Sequence, residues 1–108
     1  MTEATRVREL NDSFRTTFGA GQVMMTSGVA ALPYSQREAV LAKVRTYDDF
    51  TADNDPHGEH DFGNFELAGE KFFWKIDYYD TTMDAGSEDP ADPSKTVRVL
   101  TIMLADEY

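Results

Sequence analysis

The stretch Phe62-Gly-Asn-Phe-Glu-Leu67-Ala-Gly-Glu70-Lys71-Phe-Phe-Trp-Lys-Ile-Asp-Tyr-Tyr79 decides the fold. Phe62 to Leu67 reads as a strand, Ala68-Gly69-Glu70 as a tight turn, and Lys71 to Tyr79 as the returning strand. Side chains alternate across a strand, so Phe72, Trp74, Ile76 and Tyr78 share one face. Phe73, Lys75, Asp77 and Tyr79 share the other. One of those faces has to be core. Thr96 to Leu104 is apolar on both faces through Val99, Leu100, Ile102, Met103 and Leu104, which predicts a central strand with helices over one side. Between these strands, Asp80 to Lys95 contains the steps Asp89-Pro90 and Asp92-Pro93 and no periodicity. Loops of that length are often functional or mobile.

Upstream of the hairpin the periodicity changes from two to nearly four. Val7, Leu10, Phe14 and Phe18 recur at helical spacing in residues 4–18, with Arg6, Arg8, Glu9, Asp12 and Arg15 mostly opposite. Gly19 and Gly21 stop that helix. Gln22-Val23-Met24-Met25-Thr26 reads as a short strand released by Ser27-Gly28. A second helix carries Val40, Leu41, Val44 and Tyr47, with Ser35 as its cap and Glu38 completing a capping box. Phe50-Thr51-Ala52 reads as extended. The resulting expectation is an α+β single domain over residues 1–108, with two N-terminal-half helices packed on one face of an antiparallel sheet of four to five strands and a C-terminal meander.

Composition narrows the function classes. Of 108 residues, 20 are acidic and 10 basic, a net charge of −10. Residues 1–46 carry a net +2 and residues 47–108 a net −12. Direct nucleic-acid binding and anionic membrane binding are disfavoured, because both need clustered Lys and Arg. A basic protein partner suits this charge, and dense carboxylates can imitate a phosphate backbone. Zero cysteines remove disulfides, thiolate metal sites and cysteine nucleophiles. No apolar run has the length of a membrane span, and Met1-Thr2-Glu3-Ala4-Thr5-Arg6 does not read as a signal peptide, so a cytoplasmic protein is expected. The sequence carries no signal for an oligomeric state.

Asp53-Asn-Asp-Pro-His-Gly-Glu-His-Asp-Phe-Gly63 gathers four carboxylates and both histidines. Asp53, Asp55, His57, Gly58 and Asp61 fall where the first half of a calcium loop places its ligands and its glycine. The second half departs from that pattern, since position twelve is Asn64 and Glu66 lies two residues too far on. A divalent metal held by Asp53, Asp55, Glu59, His60 and Asp61, with hydrolytic chemistry as its extension, is the alternative function. No other cofactor is implied. The same residue types are also ordinary turn formers. His60 beside Asp61 resembles an acid/base pair, yet neighbours on a strand point apart unless the backbone is irregular. Ser13, Ser27, Ser35, Ser87 and Ser94 sit in no nucleophile elbow. No catalytic residue is assigned, and a non-enzymatic protein is expected.

Phe73, Asp77 and Tyr79 on the outer strand face, with Asp80, Asp84, Glu88, Asp89 and Asp92 of the loop, form the expected interaction surface. The Asp53–Gly63 block, Trp74-Lys-Ile-Asp-Tyr-Tyr-Asp80, Asp89-Pro-Ala-Asp-Pro93 and Arg98-Val-Leu-Thr-Ile-Met-Leu104 resemble a bacterial family, domain of unknown function 3768. Leu10-Asn-Asp-Ser-Phe-Arg15 and Gly28-Val-Ala-Ala-Leu-Pro33 extend the likeness. The resemblance implies no reaction or ligand. It implies an alphaproteobacterial, often plasmid-borne setting, and with it a regulatory or inhibitory role in host–mobile-element conflict through charge mimicry. Tyrosine is common in that family where this chain has His57, which leaves His60, Glu59, Asp55 and Asp61 as the better ligand candidates.

Overall fold

The hairpin forms as its alternation requires. In the computed structural model, which describes residues 2–108, strands β2 (Phe62–Leu67) and β3 (Glu70–Tyr79) pair antiparallel. They are joined by Ala68 and Gly69, both at positive φ (53° and 81°). Two such residues make a type I′ turn, whose twist matches the flanking strands. The turn is thus one residue tighter than the sequence suggested, and Glu70 belongs to the strand. Strand β4 (Val97–Leu104) pairs antiparallel with β3, and β1 (Gln22–Met25) pairs with β4 in parallel, giving the order β1-β4-β3-β2. The sheet has four strands and is mixed. The expected all-antiparallel sheet is corrected at β1, where a four-residue segment has no pattern that encodes the direction of its neighbour.

Three helices lie in the N-terminal half: α1 (Glu3–Thr17), α2 (Ser27–Ala30) and α3 (Tyr34–Thr46). Thr2 caps α1 by accepting from the Thr5 N–H at 3.1 Å. Phe18, in the left-handed region at φ 58°, ends it by donating its N–H to the Phe14 carbonyl. Ser27-Gly28 opens the short helix α2 and does not simply release a strand. The expected capping box at Ser35 and Glu38 is absent. Helix α3 begins two residues earlier, with Pro33 at the N-cap position and no side-chain cap. The Arg37 guanidinium satisfies the preceding Ala30 and Leu32 carbonyls instead, at 3.1 and 3.3 Å. Phe50-Thr51-Ala52 joins no sheet. The Thr51 N–H donates to Asn54 Oδ1, so this segment folds on itself.

All three helices cover one face of the sheet. Phe14, Val29, Val40 and Val44 meet Phe72, Trp74, Ile76, Leu100 and Ile102 in a single cluster. Each large side chain buried there contributes about 1.5–3 kcal/mol. Among the described residues no α-helix covers the opposite face. A 3-10 turn, Ala105–Glu107, brings Tyr108 edge-on to Phe62 and Phe73, with ring centroids 6.1 and 5.3 Å apart.

Candidate functional site

Two polar regions need a physical account, and they differ in whether their groups are already occupied. The first lies between α1 and the segment before β2. Asn11 sits on the apolar stripe of α1, one turn from Val7 and from Phe14, and is fully buried. Its Nδ2 donates to the Glu59 carbonyl (3.0 Å) and to the Tyr78 hydroxyl (2.8 Å). Its Oδ1 accepts from Arg98 Nε (2.8 Å). Tyr78 donates in turn to Glu59 Oε1 at 2.9 Å, and Arg98 also donates to the Pro90 carbonyl while lying over the Tyr78 ring. Burial pushes the Tyr78 phenol well above its ordinary value and lowers the Arg98 guanidinium from its own.

His60 is the centre of the same region. Its backbone is irregular, at φ 54°, so the alternation that would have separated it from its neighbours does not apply. The ring stacks on Phe50 at 3.7 Å with 2° between the planes. Nδ1 lies 2.9 Å from Asp12 Oδ1, and a carboxylate can only accept there, so Nδ1 carries the proton. Nε2 faces Asp55 Oδ2 at 3.6 Å, while Asp55 Oδ1 accepts the His60 N–H at 3.1 Å. The histidine's carboxylate partners are therefore Asp12 and Asp55, not the adjacent Asp61. Among the described residues nothing nucleophilic bonds to the ring. Arg15, beside Asp12, lies over Phe50 and Trp74 and donates to the Val44 and Arg45 carbonyls.

The predicted metal ligands are placed as follows. Asp53 is exposed, and Asp55 is buried. Glu59 is bonded to Tyr78. Asp61 is half-buried, and desolvation is the main reason its carboxyl is raised, reinforced by Glu59 and Asp55. Among the described residues no three His, Asp or Glu side chains converge in a way that could hold a metal ion. Three surface depressions, of about 180, 360 and 350 Å³, are lined by other residues, and none by residues 53–61.

The second region is the loop from Asp80 to Asp92. Tyr79 bridges to Gly86, the Asp80 N–H donates to the Ala85 carbonyl, and the Ser87 N–H donates to the Tyr78 carbonyl, so the loop begins as an extension of β3. Asp80 accepts from the Asp84 N–H and the Thr82 hydroxyl, Asp89 from the Ala91 N–H, and Asp92 from the Ser94 N–H and hydroxyl. At Asp80 desolvation pushes the carboxyl up, but these hydrogen bonds together outweigh it and hold the group below its ordinary value. At Asp92 the Ser94 bonds do the same. Asp84 and Glu88 are exposed, and Glu88 makes only an exposed ion pair with Lys95 at 3.6 Å. Phe73, Asp77 and Tyr79 do lie on the helix-free face, with Asp77 paired to Lys75 at 3.0 Å. Phe73 packs against Phe62 and Tyr108. Tyr79 lies six positions further along the strand, about 20 Å away, so the aromatic cluster and the acidic loop occupy opposite ends of that face.

Sequence reasoning missed Asn11, Asp12, Arg15 and Arg98. Two carried a signal: Asn11 interrupts an apolar helical stripe, and Arg98 interrupts an apolar strand. A polar residue in such a position has to be paired.

These features define an acidic α+β protein with a closed histidine cluster and an open carboxylate loop. The chain belongs to the family described as Protein of unknown function (DUF3768), whose match covers residues 25–107. The match takes in the 53–63, 74–80, 89–93 and 98–104 blocks and leaves Leu10–Arg15 outside it. No curated protein and no solved structure matches the chain. Among the described residues no helix is long and apolar enough to cross a membrane.

Proposed function

We propose that this chain is a non-enzymatic, cytoplasmic interaction module that presents the carboxylates of the Asp80–Asp92 loop to a basic protein surface. The observation that carries this is the division of labour among the loop's acids. Asp80, Asp89 and Asp92 spend their oxygens on turn N–H groups, which fixes the loop, while Asp84 and Glu88 stand exposed. A pre-ordered set of charges loses little entropy on binding. By contrast, the His60 N–H and Nδ1, Asp12 Oδ1, Asp55 Oδ1 and Glu59 Oε1 are engaged by hydrogen bonds within the fold, which supports a structural role for the 53–61 segment. The fullest form of the proposal is an inhibitor whose carboxylates occupy the phosphate-binding surface of a nucleic-acid-binding protein.

The test is capture from host lysate by the tagged chain, comparing it with an Asp84→Asn/Glu88→Gln variant in which the turn-forming acids are intact. Recovery of a basic protein is expected to fall about tenfold between roughly 50 and 300 mM salt, and to fall similarly in the variant at low salt. Capture that is indifferent to both changes would overturn the proposal.

A further inference from the structure

Strand β1 is an edge of the sheet, and its chemistry is unlike the rest of the molecule. From Thr16 to Gln36 the chain carries no Asp, Glu, Lys, Arg or His, although 28% of its residues are charged. Edge strands are normally defended by charge, proline or a bulge, because their unpaired backbone groups template further pairing. The other edge, β2, has exposed Glu66 and a polar depression alongside it lined by Lys43, Asp48 and Asp49. Gln22-Val-Met-Met25 has none of these defences. It exposes Met24 by 54% and Met25 by 40%, two of the five large hydrophobic side chains that stand exposed among the described residues.

The backbone direction is fixed by the parallel register. The Thr26 N–H donates to the Ile102 carbonyl, so Thr26, and by alternation Met24, face β4. Val23 and Met25 therefore point their N–H and C=O groups outward. Among the described residues nothing within the chain pairs with them.

We infer that β1 is the self-association edge of this protein, pairing antiparallel with β1 of a second copy about a twofold axis at Met24. In that register Val23 of one copy faces Met25 of the other. Each facing pair exchanges two hydrogen bonds, so all four outward groups of each copy are satisfied. The two Met24 side chains meet at the axis on the helix-free face, and a continuous eight-stranded sheet results. Electrostatics select a second copy over a foreign partner. The strand's own residues carry no charge to attract a basic segment, and the Glu107 carboxylate at its end is taken up by hydrogen bonds from Thr26 and Gly28, so this is where two chains of net −10 approach with least repulsion. Strand β2 lies three strand spacings, about 14 Å, from β1. A contact built on one short strand is smaller than a standard interface, so the dimer is a weak, exchanging one.

Sedimentation velocity at about 0.3 M salt, where the net charge is screened, tests the inference. The chain is expected to pass from mostly monomer to mostly dimer between roughly 10 µM and 1 mM. Met24→Lys should weaken dimerisation at least tenfold at unchanged melting temperature, while Met83→Lys, at a loop methionine that is 41% exposed, leaves it unchanged. Amide exchange gives a readout in the unmodified chain: the Val23 and Met25 N–H groups should slow as concentration rises. A monomer at 1 mM, a dimer untouched by Met24→Lys, or Val23 and Met25 amides that exchange equally fast at every concentration would each overturn it.

Discussion

The buried amide of Asn11 and the guanidinium of Arg98 meet at 2.8 Å across 87 positions of sequence, joining the first helix to the interior strand β4. Both side chains are withdrawn from water, with Asn11 0% and Arg98 4% exposed. Removing one partner leaves the other buried and unpaired. Asn11→Leu is expected to lower stability by about 2–4 kcal/mol in urea unfolding, because Arg98 Nε, the Glu59 carbonyl and the Tyr78 hydroxyl lose their partner together. Pairing it with Arg98→Met should cost clearly less than the sum of the two single changes. Additivity would show that the two residues do not act as a unit.

His60 gives a prediction opposite in sign to the usual ranking of alanine and glycine. Both substitutions remove the stack on Phe50 and the bond to Asp12, but only alanine keeps a Cβ at φ 54°. His60→Gly should therefore be more stable than His60→Ala by about 1 kcal/mol, measured by thermal melting. The reverse order would place the backbone elsewhere.

Gly63 is where strand β2 lets Trp74 come close. A Cβ at Gly63 would run into the Trp74 indole and sit 2.8 Å from Tyr47 Cε1. Both rings belong to or pack against the core, so they have no easy retreat. Gly63→Ala is expected to destabilise the chain by about 2–3 kcal/mol, with the loss of near-ultraviolet circular dichroism from the displaced tryptophan.

Asp61 sets a pH dependence. Its carboxyl is raised chiefly by burial, so the folded chain holds the proton more tightly than the unfolded chain does. The cost of ionising it in the fold is present in full above the raised value and fades as pH falls toward the ordinary 3.8. Asp61→Asn should therefore melt higher than the parent at pH 7, by less than about 1 kcal/mol of stability, and the two curves should converge below pH 3.8. A variant less stable at pH 7 would mean that the carboxylate makes a favourable contact.

For the loop ahead of β2, the bond of His60 Nδ1 to Asp12, and the lack of three converging ligand side chains among the described residues, predict indifference to metals. EDTA, then Ca²⁺, Mg²⁺, Mn²⁺ and Zn²⁺ in turn, are expected to leave the melting temperature unchanged. A saturable rise with any one ion, lost in His60→Gly, would restore a metal centre.

What could be read from the residues alone follows from the range of the interactions. The two faces of β3, the interior place of β4 and the helical stripe through Val7 and Phe14 are local periodicities, and each is present in the fold as expected. The parallel pairing of β1 depends on a strand 77 positions away, and nothing in Gln22–Met25 encodes it. The same limit hid the partner of His60: Asp12 lies 48 positions upstream, beyond the reach of any local pattern around the histidine. Ser35 failed as a cap because Pro33 had already fixed where the helix begins. In the acidic loop, residue types suggested a surface, but which acids are consumed by turns depends on backbone geometry that composition does not carry.

The pairing of Gln22 with Val99 also governs the order of assembly. The β2–β3 hairpin closes over a two-residue turn and can form within microseconds, whereas β1 waits for a strand that arrives after most of the chain. During synthesis, α1, α2, α3 and the hairpin leave the ribosome before β4, the strand that carries Leu100 and Ile102 into their common core. Contact order of this kind makes folding slow relative to chain length. Until residue 104 has emerged, Trp74 and Phe14 have no complete surface to bury against, so a chain halted before that point is a substrate for chaperones and proteases.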